Sequence, residues 1–162
     1  MSRSIGPNLP KALRQLLDGD DLAGKEGSTL LLLTVTEEGW PHVAMLSVGE
    51  LLAVASDRLR AALWPANTAT PNLTSTRQAT IAVVHEGAAY YLRCRARRGA
   101  DLHVPSDGAG LAFFELELDD ILEDVVPYAE LTSGISFRLS DASERIARWD
   151  ERIAALRAAG SS

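Results

Sequence analysis

Residues 88–97, AAYYLRCRAR, alternate with a period of two. Tyr90, Leu92, Cys94 and Ala96 fall on one side and Tyr91, Arg93, Arg95 and Arg97 on the other. This is the pattern of a strand with one buried and one polar face, so the basic run is one face of a strand. A second segment, Leu111 to Leu118 (LAFFELEL), sets Phe114, Leu116 and Leu118 against Phe113, Glu115 and Glu117. Its acidic face can pair with the arginine face across adjacent strands. Together the two segments account for the arginines without a ligand, and they make an antiparallel sheet the framework of the chain.

The other extended segments fit that framework. Thr29 to Thr36 and Pro41 to Val48 form a hairpin around Glu37-Glu38-Gly39, and Leu51 to Ser56 follows after Gly49-Glu50 as the third member of a meander. Asp57 to Thr76 reads as a loop or short helix, since Pro65 and Pro71 prevent a long one. Ala79 to Val84 pairs with the Ala88 strand around His85-Glu86-Gly87, and Gly134 to Leu139 (GISFRL) is the seventh strand. A helix is predicted over about residues 9–17, with Asn8 as a candidate N-cap and Pro10 in its first turn. A terminal helix over 141–158 starts with the capping-box spacing of Asp141 and Glu144, and carries the apolar stripe Ile146, Trp149, Ile153 and Leu156. That stripe must dock on the barrel or on a partner subunit. The fold class expected is mainly β, a small closed or partly closed antiparallel barrel with flanking helices, in a single domain over 1–162.

Composition narrows the function classes. The 162 residues carry a formal net charge of -6, and the basic residues divide into fourteen Arg and two Lys, Lys11 and Lys25. An acidic total argues against nonspecific nucleic-acid binding, which depends on a basic surface. No apolar run approaches the roughly 20 residues of a membrane helix, and the first residues lack a secretory signal, so the expected location is cytoplasmic. One cysteine, Cys94, can form no internal disulfide.

No catalytic signature is present: there is no GxSxG, HExxH, Walker loop or GxGxxG, and no catalytic residue is assigned. His42, His85 and His103 lie far apart and imply no metal site, and Cys94 reads as a small apolar core residue. The acidic pairs Asp119-Asp120 and Glu123-Asp124 read as a solvated loop after a strand end. Leu63 to Leu73, LWPANTATPNL, stands apart, because it gathers Asn67, Thr68, Thr70 and Asn72 between two prolines. Hydroxyls, amides and free N–H groups at a loop-to-helix junction are what a phosphate site uses where lysine is absent. An ordinary capped loop uses the same residues.

The order of these segments resembles the FMN-binding split-barrel family that includes pyridoxamine 5'-phosphate oxidase. The likeness runs from about Thr29 to Arg97. It rests on Gly39-Trp40-Pro41 between the first two strands, Ser56 closing Val54-Ala55-Ser56, the run Asn67-Thr68-Ala69-Thr70-Pro71-Asn72-Leu73, and Cys94-Arg95-Ala96. Ala69 stands near the place of the family's phosphate-binding lysine, and Ala44 at that of a basic residue in the second strand. The resemblance implies FMN as cofactor, with the deazaflavin F420 as a variant. The ring would lie against Met45, Leu46 and Ser47, the phosphate would rest on Ser56, Asn67, Thr68 and an arginine such as Arg58, Arg60 or Arg77, and Asn72 would be a further cofactor-binding residue. It further implies a homodimer and an oxidoreductase acting on an unidentified small molecule. The competing class is a nonenzymatic flavin- or haem-binding or storage protein.

Overall fold

The computed structural model describes residues 1–108 and 110–160. In chain order it contains β1 (Arg3–Ser4), α1 (Lys11–Leu16), β2 (Leu30–Val35), β3 (Pro41–Leu46), β4 (Leu51–Ala55) and β5 (Arg58–Leu63). Then come α2 (Ala69–Thr76), β6 (Gln78–His85), β7 (Ala88–Arg98), β8 (Leu102–His103), β9 (Gly110–Asp124) and α3 (Ala142–Ala158). The strands form one antiparallel sheet in the order β3-β2-β6-β7-β9-β5-β4, with β1 and β8 added to β9. Its two ends, β3 and β4, are consecutive in the chain and not paired. The sheet is therefore a barrel left open between them, a split barrel.

The alternation in β7 holds along its length: Tyr90, Leu92, Cys94 and Ala96 are buried while Arg93, Arg95 and Arg97 are exposed. In register, Arg93 faces Asp120, Arg95 faces Glu117 and Arg97 faces Glu115 across β9. Arg95 pairs with Asp119 at 2.8 Å and Arg97 with Glu115, so the complementary charged faces meet as the sequence predicts. Inside, one apolar cluster fills the barrel, with Leu30, Leu32, Leu59, Ile81, Leu92, Phe114 and Leu116 fully buried.

Five expectations need correction. Asp57 to Thr76 is not only loop and helix, because β5 lies within it. Its residues RLRAAL favour helix intrinsically, and pairing on both sides, with β4 and β9, overrides that preference. For the same reason Leu51 to Ser56 is no meander partner of β3; it pairs with β5. Gly134 to Leu139 makes a single bridge, Ser136 to Ser28, instead of a strand, since both edges of β2 are already occupied by β3 and β6. The acidic pairs Asp119-Asp120 and Glu123-Asp124 are not loop: β9 runs on through them, paired with β7. Finally, neither expected side-chain cap forms. Asp141 adopts φ 53° with no side-chain cap, and Asn8 accepts a hydrogen bond from the Ser56 hydroxyl at 2.9 Å instead of capping α1.

The terminal stripe docks on this chain's own barrel. Trp149, Ile153 and Leu156 are buried, and Arg60 of β5 donates to the Leu156 and Arg157 carbonyls at 2.8 and 3.2 Å, closing the C-terminal end of α3. The close approach needs Gly49, where a Cβ would stand 2.1 Å from the Trp149 ring. No helix among the described residues is long and apolar enough to cross a membrane.

Candidate functional site

The opening between β3 and β4 leaves the outer edge of β3 unpaired. Its phase follows from the hairpin: Thr36 N–H donates to the Trp40 carbonyl at 2.9 Å, and the register runs Thr34–His42, Leu32–Ala44, Leu30–Leu46. Hydrogen-bonded pairs alternate along an antiparallel ladder, so these are the bonded pairs, and the N–H and C=O groups of Val43 and Met45 point away from β2. The side chains of the same two residues lie on the outer sheet face, exposed by 50% and 68%. Across the ladder they meet Leu33 and Leu31, and Val35 beyond them is also exposed. A cavity of about 590 Å³ opens on this face, lined by Leu33, Val35, Pro41, Gln78, Thr80 and Arg93 among others. Val35, Val43 and Met45 thus form an exposed apolar strip beside free backbone donors and acceptors, while the neighbouring cavity is of mixed character, with Arg93, Asp119 and Asp120 among its walls.

At the Leu46 end, the turn between β3 and β4 is pinned by one carboxylate. Glu50 accepts from the Ser47 N–H at 2.7 Å and from its hydroxyl at 2.9 Å. Burial pushes the Glu50 carboxyl above its usual range, opposed by the Ser47 hydrogen bonds and the charge of Arg152. Arg152 reaches this place from α3 and forms a two-bonded pair with Asp107 at 2.7 and 2.8 Å, with side chains 9% and 0% exposed. Burial works against its charge, but the Asp107 carboxylate wins and raises the guanidinium further. The same guanidinium lies 5.2 Å from the centre of the Trp64 ring, at the start of the loop into α2.

The predicted site residues fall into separate groups. Met45 is exposed on the outer face; Leu46 points into the core at 2% exposure; Ser47 is occupied with Glu50. Asn67 and Thr68 sit in the loop before α2, where the Asn67 side-chain carbonyl accepts from the Ala69 N–H at 2.9 Å and Thr68 is exposed. Asn72 is buried and donates to the Thr34 hydroxyl at 3.0 Å, tying α2 to β2. Ser56 is not brought to this loop. It lies in the turn between β4 and β5, and the whole of β5, about 20 Å of strand, separates it from Trp64. Ala69 is fully buried, so that position faces the core and offers no place for a cation. Of the arginines expected to replace the lysine, Arg60 is committed to the end of α3 and Arg77 is the left-handed residue that closes α2. Sequence reasoning missed Glu50, Asp107 and Arg152. Only the spacing Arg145, Arg148, Arg152 on one helix face was there to be noticed.

Comparison with known proteins agrees with this architecture. No family model matches the chain. It is 35% identical over 146 residues to the uncharacterized protein YclD of Bacillus subtilis (strain 168), covering 90% of this chain and 93% of that one. Among solved structures it is similar to a pyridoxamine 5'-phosphate oxidase-like protein of Lactobacillus delbrueckii, with a TM-score of 0.56 at 14% identity over 75% of this chain and 98% of the other. It is also similar to an F420 reductase, with a TM-score of 0.51 at 12% identity over 70% and 98%. With a sheet open between β3 and β4 and a relative 35% identical over most of both chains, the chain belongs to the family of YclD and carries the split barrel of the pyridoxamine 5'-phosphate oxidase-like proteins.

Proposed function

We propose that the protein binds a flavin-type cofactor, FMN or the related F420, along the outer edge of β3, and serves as an oxidoreductase for a small molecule. The observation that carries this reading is the pair of outward-facing backbone groups at Val43 and Met45 beside an exposed apolar strip. An isoalloxazine ring is flat and apolar along most of its length and ends in a pyrimidine with one N–H donor and two carbonyl acceptors. The edge of β3 offers the matching acceptors and donors, so the residues present fit the ring. The similarity to an F420 reductase adds support at the level of fold.

When bound, the flavin supplies the capacity to accept or give two electrons with a proton, which no side chain here has. The chain's own part is to bind and to exclude water. Val43 and Met45 would hold the ring through main-chain hydrogen bonds, the exposed apolar strip that includes Val35 would lie beside it, and Asn67 and Thr68 would face its phosphate. No side-chain acid or base is required of the site. A second copy of the chain completes the enclosure: Val35, Val43 and Met45 form an exposed apolar surface that a homodimer would bury.

Titration of purified protein with FMN and with F420 tests the reading, followed by the change in ligand fluorescence. Saturable quenching by one of them is expected, and no change with either would overturn it. Val43→Pro sharpens the test, because it removes an N–H that faces away from β2 and leaves the ladder intact. The thermal midpoint should move little while flavin affinity falls roughly three- to tenfold, the worth of one neutral hydrogen bond.

A further inference from the structure

Three arginines of α3 share one face. Arg145, Arg148 and Arg152 are spaced i, i+3 and i+7, so their side chains stack along the helix toward the barrel. Between them and the loop that leads into α2 lies a cavity of about 280 Å³, walled by the Trp64 and Trp149 indoles and floored by Glu50. The three guanidiniums are not equivalent. Arg152 is consumed by Asp107, with which it makes two short hydrogen bonds in a buried setting. Arg148 holds Glu144, one turn earlier on the helix, at 2.6 Å, an i,i+4 pair of the kind that exchanges readily with solvent. Arg145 has no carboxylate within 4 Å among the described residues.

The acidic groups nearby are also accounted for. Asp107 is answered by Arg152, and Glu50 accepts two hydrogen bonds from Ser47 in a position where burial favours its neutral form. What faces the cavity is thus a local excess of guanidinium beside an exposed indole, in a chain whose net charge is -6. Two guanidinium forks one helical turn apart match a tetrahedral dianion better than a single planar carboxylate, since each fork can take two oxygens.

We propose that the cavity between α3 and the Trp64 loop is a binding site for a phosphate monoester, held by Arg145 and Arg148 against the Trp64 indole. The site supplies from the terminal helix the positive charge that the buried Ala69 cannot supply from α2. The proposal rests on reading the Trp64–Thr68 loop as the cofactor's, and the phosphate has two sources: that of FMN itself, or that of a second phosphorylated ligand.

The test compares the full-length protein with the Arg145→Gln/Arg148→Gln variant. Both are measured for affinity to FMN and to riboflavin, which lacks the phosphate, and for thermal protection by inorganic phosphate. If the cofactor is the source, the wild type prefers FMN by about tenfold or more, and the variant loses that preference while keeping riboflavin. If a second ligand is the source, flavin preference is unchanged by the substitutions, but inorganic phosphate raises the melting temperature of the wild type and not of the variant. Equal flavin preference and equal phosphate protection in both proteins would overturn the site. Should neither flavin bind, the cofactor reading fails and the phosphate arm decides alone: protection lost in the variant upholds the site, and protection absent or equal in both ends it. If the double variant does not fold, Arg145→Gln carries the comparison, because Arg145 has no ion pair among the described residues.

Discussion

At the scale of single residues, burial decides chemistry more than residue type does. Cys94 illustrates this: it faces the core at 3% exposure, and burial pushes its thiol up to about 12, with the charge of Asp119 adding to the shift. A thiolate is then almost absent at pH 8, so native protein should resist a disulfide-exchange reagent, and the single thiol should titrate only in denaturant. Rapid labelling of the native state would contradict the buried placement. Glu50 is the second case. Its carboxyl is raised by burial, so between the unfolded value near 4.5 and the higher folded one the native state holds the proton and the unfolded state does not. Stability from this group is complete below the unfolded value and is lost as pH rises through the folded one. Glu50→Gln keeps a carbonyl for Ser47, so it should flatten that fall and leave the variant more stable than wild type at neutral pH, read as melting temperature against pH. A steeper fall in the variant would reverse the sign.

At the scale of elements, the terminal helix depends on a position more than ninety residues before it in the chain. Trp149 packs where Gly49 has no side chain, and Phe137 meets the same ring edge-on at 6.4 Å. Gly49→Ala should push the indole out of its seat. Losing much of a buried tryptophan costs about 3 kcal/mol or more, so a clear drop in melting temperature and a red shift in tryptophan emission are expected. An unchanged emission spectrum would mean that α3 docks by other contacts. The helices and β7 were legible because their periods are strong and their burial follows the period. β5 was not, because RLRAAL carries no strand signal of its own and becomes a strand only between β4 and β9. GISFRL fails in the opposite way: it has strand-like residues, but the strand it lies next to, β2, already has both edges taken by β3 and β6.

At the scale of the whole molecule, an exposed apolar face and an open edge are liabilities for a lone subunit. A second copy seated on that face removes both, and light scattering on a sizing column should show twice the chain mass. Val35→Glu places a charge on the exposed part of the face without touching the core, and should shift the protein to monomer at micromolar concentration with its melting curve still cooperative. A wild-type monomer would require a different cover for the face.

The sequence by itself determined the antiparallel framework, the two terminal helices, the pairing of arginine with carboxylate across β7 and β9, and the likeness to split barrels. These follow from short-range period and from residue types that meet at neighbouring positions. Only the tertiary structure decided which edge stays open, that Ser56 and Asn67 lie at opposite ends of β5, and that the charge beside the Trp64 loop comes from α3. Those outcomes depend on where distant segments pack, and a local pattern carries no record of the partner that will occupy or leave free a given edge.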